Sequence, residues 1–372
     1  MQDQLPLLVF AQSGRFIAES ATLAGYTVWV ADCFGDNDTI SVASRFLKLP
    51  PISALTAKQL ADYLITLSNQ QACLLIYGTG IEQLYDVLAL LPLYIHPLGN
   101  NVEQLKQLVN ASDFFPLLDK LRIPYPKTSS SKPSNPDQWL AKRLDSFGGV
   151  DVTHARLSPV SETVIYQKEI IGKTYSASFI ADGEAIMILG FNQQINAADS
   201  FQLESINTLN IFDINIRSNV ESWLVRIVKH LKYKGFASVD FIVDSSDHAY
   251  LLEINPRLSA SAEILFIDTN IVEHHIQLCD GLALSECDIK LTNHEHTRQL
   301  SYLRAEVTCF IGARAQWPEE CHDIPSANTV IEAMQPICSV LITAESLTAC
   351  NENLTRIKTT LNKITLPKLE ID

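Results

Sequence analysis

The chain begins with a continuous apolar run, LPLLVFA at 5–11, followed by a polar QSG turn, an amphipathic stretch RFIAESATLAGY and a second apolar run TVWVAD. A short apolar run bounded by turn residues reads as a strand buried on both faces, and apolar positions recurring three and four apart read as a helix covering it. The order predicts a βαβ opening. The next apolar run, ACLLIYGTG, and the helical pattern IEQLYDVLALL continue it, so residues 1–98 are expected to form a parallel sheet with flanking helices.

From residue 100 the pattern changes. NVEQLKQLVNASDFFPLLDKL predicts a helix that stops at the proline-marked RIPYP, and the polar TSSSKPSNP follows as a loop. A strand at QWLAK then runs into RLDSFGGV. Between 163 and 192, VIYQKEIIG, TYSASFIADG and EAIMILGF alternate apolar and polar positions between glycine turns, the pattern of antiparallel strands. A helix near 219–234 precedes a hairpin at 236–255. From about 290, SYLRAEVTCFIGARA, ICSVLITAES and a closing helix at LTACNENLTRIKTTLNKI predict a small α+β cap. The fold class expected is α/β plus α+β: a parallel lobe at 1–98, an antiparallel middle region at 99–289 and a cap at 290–372.

Composition changes this picture mainly by exclusion. A chain of 372 residues exceeds one compact core and divides into roughly two to four lobes of about 100–200 residues, which leaves room for a cleft. With 47% hydrophobic and 19% charged residues it is a globular chain. The formal charge of −14 and the lack of a Lys/Arg cluster argue against a nucleic-acid partner. No basic-led apolar leader and no uncharged stretch of about 18 residues appears, so neither a signal peptide nor a membrane partner is expected and a cytoplasmic location follows by default. Eight scattered cysteines without a CxxC pair read as reduced thiols. The pairs His274/His275 and His294/His296 lack further ligands at zinc spacing and read as solvated helix or loop residues. The glycine turn YGTGIEQ lacks the third glycine of a dinucleotide fingerprint, so Gly78 and Gly80 read as a tight turn and helix entry.

The strongest chemical signal is FASVDFIVDSSDHAYLLEINPR, a strand, a polar turn and a second strand. Side chains alternate along a strand, so Glu253 and Asn255 share a face, and counting back through the turn sets Asp240 nearly opposite Glu253. Two carboxylates and an amide oxygen in an otherwise apolar hairpin are costly without a cation. Oxygen-only ligands favour a hard divalent ion such as magnesium or calcium, and the Arg257 guanidinium just beyond suits a phosphate or carboxylate. The bland alternative is a solvated hairpin end with Glu253 paired to Arg257. A second signal is WLAKRLDSFGGVDV, where Lys142 ends a strand and Gly148 and Gly149 let main-chain N–H groups approach an anion. VIYQKEIIG, turning at Gly172, follows as a linker.

Taken in order, a lysine with a glycine loop, a hinge strand and an Asp…Glu-x-Asn hairpin resemble the ATP-grasp superfamily, over essentially the whole chain. The resemblance implies two sub-lobes, about 99–165 and 166–289, closing on ATP with magnesium or manganese. It places Lys142, Gly148 and Gly149 at the phosphates, Gln167, Lys168 and Ile170 at the adenine hinge, Asp240, Glu253 and Asn255 on the metal, and Arg257 at the transferred phosphoryl group. The chain departs from the family in three places: NASD stands where a lysine is usual, with Lys106 nearest; Thr174 stands where an acid binds ribose; and Arg143 follows Lys142. The segments SGRFIAESATLAGYTVWVADCFGDNDT, HPLGNN and DIPSANTVIEAMQPICSVL are similar to carboxylate-amine ligases of one-carbon cofactor pathways, among them the tyramine glutamate ligase of methanofuran biosynthesis.

The activity implied is an ADP-forming ligase joining a small-molecule acid to an amine through an acyl phosphate. A carboxylase or thioester-forming ligase and a non-catalytic nucleotide-binding protein remain alternatives. Ser13, Arg15 and Asp32 lie where parallel strands end and ligands bind, which makes them substrate candidates. A homodimer is the default assembly.

Overall fold

The computed structural model describes residues 4–143, 148–159, 161, 164–265, 270–289, 296–313 and 315–367. Five parallel strands, β1 (Leu7–Ala11), β2 (Val28–Asp32), β3 (Arg45–Lys48), β4 (Cys73–Tyr77) and β5 (Ile95–Pro97), form a sheet in the order β3-β2-β1-β4-β5. Every residue of β1 is buried. Leu8 and Phe10 face one core and Leu7 and Val9 the other, which is why a two-sided strand carries no polar alternation. Helices α1 (Arg15–Leu23), α2 (Asn37–Val42) and α3 (Ala57–Ser68) connect these strands. The order reverses beside β1, which has β2 on one side and β4 on the other. A crevice opens at such a switch point, beyond the carboxyl ends of the strands, and the loops after β1 and β4 stand there.

The helical stretch after residue 100 is two helices, α4 (Val102–Val109) and α5 (Ala111–Lys120), broken at Asn110, whose backbone is extended. Four short strands follow: β6 (Thr128–Ser129), β7 (Trp139–Arg143), β8 (Val152–His154) and β9 (Val164–Lys168), in the order β6-β9-β7-β8. The large sheet begins with β10 (Gly172–Asp182), β11 (Ile186–Asn196) and β12 (Leu203–Leu209). The helix α6 (Ile214–Leu231) precedes the hairpin β13 (Lys234–Asp244) and β14 (Ala249–Asn255). Asp213 caps α6 by accepting the N–H groups of Asn215 and Ile216, and Phe191 stacks on Phe212 at 4.4 Å to close the core under the sheet.

Helices α7 (Ala260–Leu265) and α8 (Ile271–Cys279) lead to β15 (Thr297–Arg304), β16 (Cys309–Ile311), β17 (Cys321–His322), β18 (Val330–Ile331), β19 (Pro336–Ala344), α9 (Leu347–Ile364) and β20 (Thr365–Pro367). β15, β19 and β17 pair onward from β12, so the large sheet runs β14-β13-β10-β11-β12-β15-β19-β17, while β18, β16 and β20 form a sheet of their own. The sheet extension carries the loop holding Asp323 to the N-terminal lobe. There the Asp323 and Ile324 main-chain N–H groups donate to Asp38 at 2.7 and 3.2 Å.

The cysteines are free thiols. His275 corrects the solvated reading of its pair: it is buried, and its Nδ1 accepts the Phe236 N–H at 2.9 Å. Burial alone brings its pKa down to about 4, which keeps the ring a neutral acceptor. His294 lies outside the described residues. Among the described residues no helix is long and apolar enough to cross a membrane.

Candidate functional site

The β13–β14 register pairs Asp240 with Glu253 and Ser238 with Asn255, so the alternation along both strands delivers the three oxygen-bearing groups to one face. Asp240 accepts from the Gln194 amide at 3.0 Å and from Asn255 Nδ2 at 3.2 Å. Burial, and then the neighbouring Glu253 charge, hold the Asp240 carboxyl well above the usual carboxylate range. This donor set fits a hard divalent ion: its donors are oxygens, and among the described residues no Lys or Arg makes a direct ion pair with either carboxylate. Among the described residues no three His, Cys, Asp or Glu side chains gather at one metal position. The protein would therefore offer two carboxylates and an amide and leave the other positions to water and substrate oxygens, a pattern magnesium accepts.

Arg257 is not the partner of Glu253. Its Nε donates to Glu82 and its Nη2 to Asn255 Oδ1 at 3.1 Å. Glu82 follows the turn after β4, where Gly80 has φ +105° and donates its N–H to the Glu82 carboxylate at 2.7 Å. Burial opposes the charge on Arg257, and the Glu82 carboxylate more than offsets it, so the guanidinium stays charged. The β4 turn, β14 and the oxygen set are thereby coupled through one side chain.

Lys142 reaches the same space from the four-stranded sheet, where it pairs in register with Val152 and Ile165. Burial lowers its pKa, and the attraction of Glu253 and Asp240 works against that fall. The cleft between these elements has a volume of about 1160 Å³. Lys142, Gly148, Gly149, Gln167, Lys168 and Ile170 line one side of it, and Asp240, Glu253, Asn255 and Arg257 the other. Gln167 is turned inward, its Nε2 donating to Thr128 Oγ1 at 3.1 Å, so its side chain is engaged within the sheet. Ile170 and Ile171 lie between β9 and β10, outside any strand ladder, and Ile171 is 80% exposed.

The glycine loop is fastened across the cleft. Gly148 and Gly149 have φ of +63° and +72°, and a Cβ at Gly149 would come within 2.0 Å of the Phe201 carbonyl oxygen. The Leu203 N–H donates to Gly148 O at 3.1 Å. Gly149→Ala cannot keep this contact and is expected to open the loop, at a cost of about 1–3 kcal/mol. Limited proteolysis checks it: cleavage near residue 149 should become faster than in the wild type.

Ser13 and Arg15 line the far end of the cleft, but their polar atoms are taken. Ser13 Oγ donates to Asp323 at 2.8 Å. The buried Arg15 donates to Asp323 at 3.0 Å, to Glu19 at 3.0 Å and to Glu263 at 2.7 Å, with Asp38 at 3.7 Å. Asp32 is a correction: it does not line the cleft, because its carboxylate accepts the Gly14 and Gly35 N–H groups at 3.2 and 2.9 Å and so holds the loops after β1 and β2. Lys106 does not replace the family lysine, since it pairs with Asp86 at 2.6 Å away from the cleft lining. Glu82, Gln194, Asp36, Glu263 and Asp323 were not read from the sequence. Asp36 and Asp323 fall inside CFGDNDT and DIPSANT, and the other three have no local signal.

Burial, followed by the charges of Asp323, Asp32 and Asp38, pushes the Asp36 carboxyl from an ordinary 3.8 up to about 8, with Arg15 opposing. Burial pushes Asp32 up to about 6. Such groups bind their protons more tightly in the native than in the unfolded chain. Their stabilising contribution is complete below about pH 4 and is lost as pH rises through about 6 and 8. Asp36→Asn should therefore gain stability over the wild type between about pH 5 and 8 and match it near pH 4, as read from urea midpoints.

Residues 112–261 match the family profile of the ATP-grasp domain. That segment contains Lys142, the glycine pair, the hinge and the whole β13–β14 hairpin. The chain carries an ATP-grasp domain. Its fold is similar to that of the biotin carboxylase from Campylobacter jejuni solved with a β,γ-ATP ligand (TM-score 0.73, 16% identity, covering 98% of this chain and 92% of that one). It is also similar to the biotin carboxylase domain dimer of 2-oxoglutarate carboxylase from Hydrogenobacter thermophilus, solved with MgADP and bicarbonate (TM-score 0.73, 14% identity, 95% and 90% coverage). An L-amino acid ligase from Bacillus licheniformis matches as fully (TM-score 0.69, 13% identity, 97% and 98% coverage). In fold, this chain is like both carboxylases and a ligase. Arg15, Asp36, Glu263 and Asp323, at the acidic end of the cleft, lie outside the matched segment.

Proposed function

We propose that the chain is an ATP-dependent ligase that joins a carboxylate to an amine, forming ADP through an acyl phosphate. The observation that carries this reading is the layout of the cleft: a hinge whose Ile170 main chain is free of strand pairing, then Lys142 facing the Asp240–Glu253–Asn255 oxygen set, then an acidic end. Asp240, Glu253 and Asn255 would hold magnesium or manganese, which when bound neutralises charge on the phosphates. Lys142 and the Gly148–Gly149 main chain would bind the phosphates, and the Ile170 main chain would meet the adenine edge. Arg257, fixed by Glu82, would face charge developing on the transferred group. An acid placed beside the terminal phosphate becomes an acyl phosphate, and an amine displaces inorganic phosphate from it to leave an amide. The chain needs to supply orientation and exclusion of water rather than a nucleophile.

The test is ADP release with magnesium and ATP across a panel of amino acids, dicarboxylates and amines. Glutamate with tyramine comes first, since CFGDNDT and DIPSANT carry that resemblance. Release that requires both an acid and an amine is the expected result. Release with bicarbonate or a thiol in place of the amine would move the assignment to a carboxylase or thioester-forming ligase. No ATP binding at all would overturn it.

A further inference from the structure

The acidic end of the cleft holds more negative charge than its one guanidinium can match. Glu19, Asp38, Glu263 and Asp323 surround Arg15. Asp36 stands apart from that network. It is 6% exposed and lines the cleft, yet its side-chain oxygens make no hydrogen bond or ion pair with any described residue, and it forms no side-chain cap for α2. Without a partner and beside like charges, a carboxyl this buried holds its proton, and a cation arriving through the cleft is what would let it ionise. Two cations could be considered. A divalent metal wants several oxygens converging on one point, and among the described residues no three such side chains gather. An ammonium group has three separate N–H donors and suits acceptors spread over a surface.

Resting on the ligase reading above, we infer that Asp36, with Asp323 and Glu263 behind it, forms the subsite for the cationic nitrogen of the amine substrate. Ser13 and Ser339 both donate to Asp323, and Arg15 donates to both Asp323 and Glu263. These contacts fix the flanking carboxylates in place and leave Asp36 as the acceptor still open to the cleft. The subsite selects primary amines over neutral alcohols of the same length and repels anions, so the acid substrate is steered toward Lys142 and Arg257. The groups facing Asp36 are Asp323, Asp32, Asp38 and Arg15, and three carboxylates against one guanidinium keep the field at Asp36 negative.

The experiment is calorimetric titration and thermal unfolding of the full chain with methylamine, 1,4-diaminobutane and 2-phenylethylamine. The controls are 1,4-butanediol, succinate, and magnesium or manganese chloride alone, and every titration is repeated on Asp36→Asn. The expected result is that at least one amine binds the wild type, that Asp36→Asn weakens it by tenfold or more, and that the diol and the dianion do not bind there. Asp36→Asn should itself unfold at the same or a higher temperature. Amine binding indifferent to the substitution, no amine binding, or an Asp36-dependent response to the metal salts alone would each overturn the inference. A lower unfolding temperature for Asp36→Asn would also overturn it, because the side chain would then be structural. MgATP is titrated into both proteins in parallel: failure there counts against the ligase reading, whereas intact MgATP binding with no Asp36-dependent amine effect counts against the subsite alone.

Discussion

Glu253→Gln is expected to reduce metal-dependent ADP formation by about 10²–10³-fold while leaving the unfolding temperature essentially unchanged. The split follows from where the side chain lies. Glu253 is exposed to the cleft, and among the described residues no side chain makes a direct ion pair with it, so little of the fold depends on its charge. It nevertheless faces Asp240 across the ladder, and a neutral amide there removes half of the carboxylate charge offered to a divalent ion. Gln also keeps the volume and the hydrogen-bonding reach, which isolates charge as the variable. Asp240→Asn is a poorer probe, because that carboxylate accepts from Gln194 and Asn255 and its loss disturbs both. Raising magnesium should recover part of the Glu253→Gln activity through a higher apparent metal constant. A variant with wild-type activity and an unaltered magnesium dependence would remove the hairpin from the metal assignment.

How much of this site the sequence disclosed depends on the reach of each contact. The hairpin was legible because its two strands are joined by a short polar turn, so alternation and counting alone bring Asp240 opposite Glu253. The lysine and glycine segment was legible for the same local reason. The Arg257–Glu82 and Gln194–Asp240 pairs were not, since they join residues 175 and 46 positions apart on different elements and only the packing of the β4 turn and β11 on the hairpin creates them. Asp32 misled because a carboxylate at a parallel strand end is as good an acceptor for nearby main-chain N–H groups as for a ligand. Here the Gly14 and Gly35 amides take that acceptor, at 3.2 and 2.9 Å. The pattern at 100–121 is continuously helical, yet Asn110 adopts an extended backbone and makes two helices of it. Strand β15 reads as part of a separate cap, and its antiparallel pairing with β12 is a long-range choice that no local periodicity encodes. That pairing matters for function, because it is what brings Asp323 to Arg15.

Arg257→Leu is expected to destabilise the chain by about 3–5 kcal/mol, because it leaves Glu82 as a buried charge without its counter-ion. The pair is nearly enclosed, with side-chain exposures of 7% for Arg257 and 12% for Glu82, so water cannot take over. A fall of roughly 5–10 °C in unfolding temperature should accompany the change. The double variant Glu82→Gln, Arg257→Leu should recover a large part of that loss, since the stranded charge has been removed, and the shortfall from additivity measures the coupling. Activity should not recover with it: Asn255 has lost the donor that holds its Oδ1, and the cleft has lost the cation at its centre. Arg257→Lys separates these effects further. A lysine ammonium keeps the charge beside Glu82 but lacks the planar fork needed to reach Asn255 at the same time. Stability should stay near that of the wild type while the Michaelis constant for metal-ATP rises. If Arg257→Lys instead loses stability and keeps its metal-ATP constant, Arg257 is a strut for the β4 turn and has no part in organising the oxygen set.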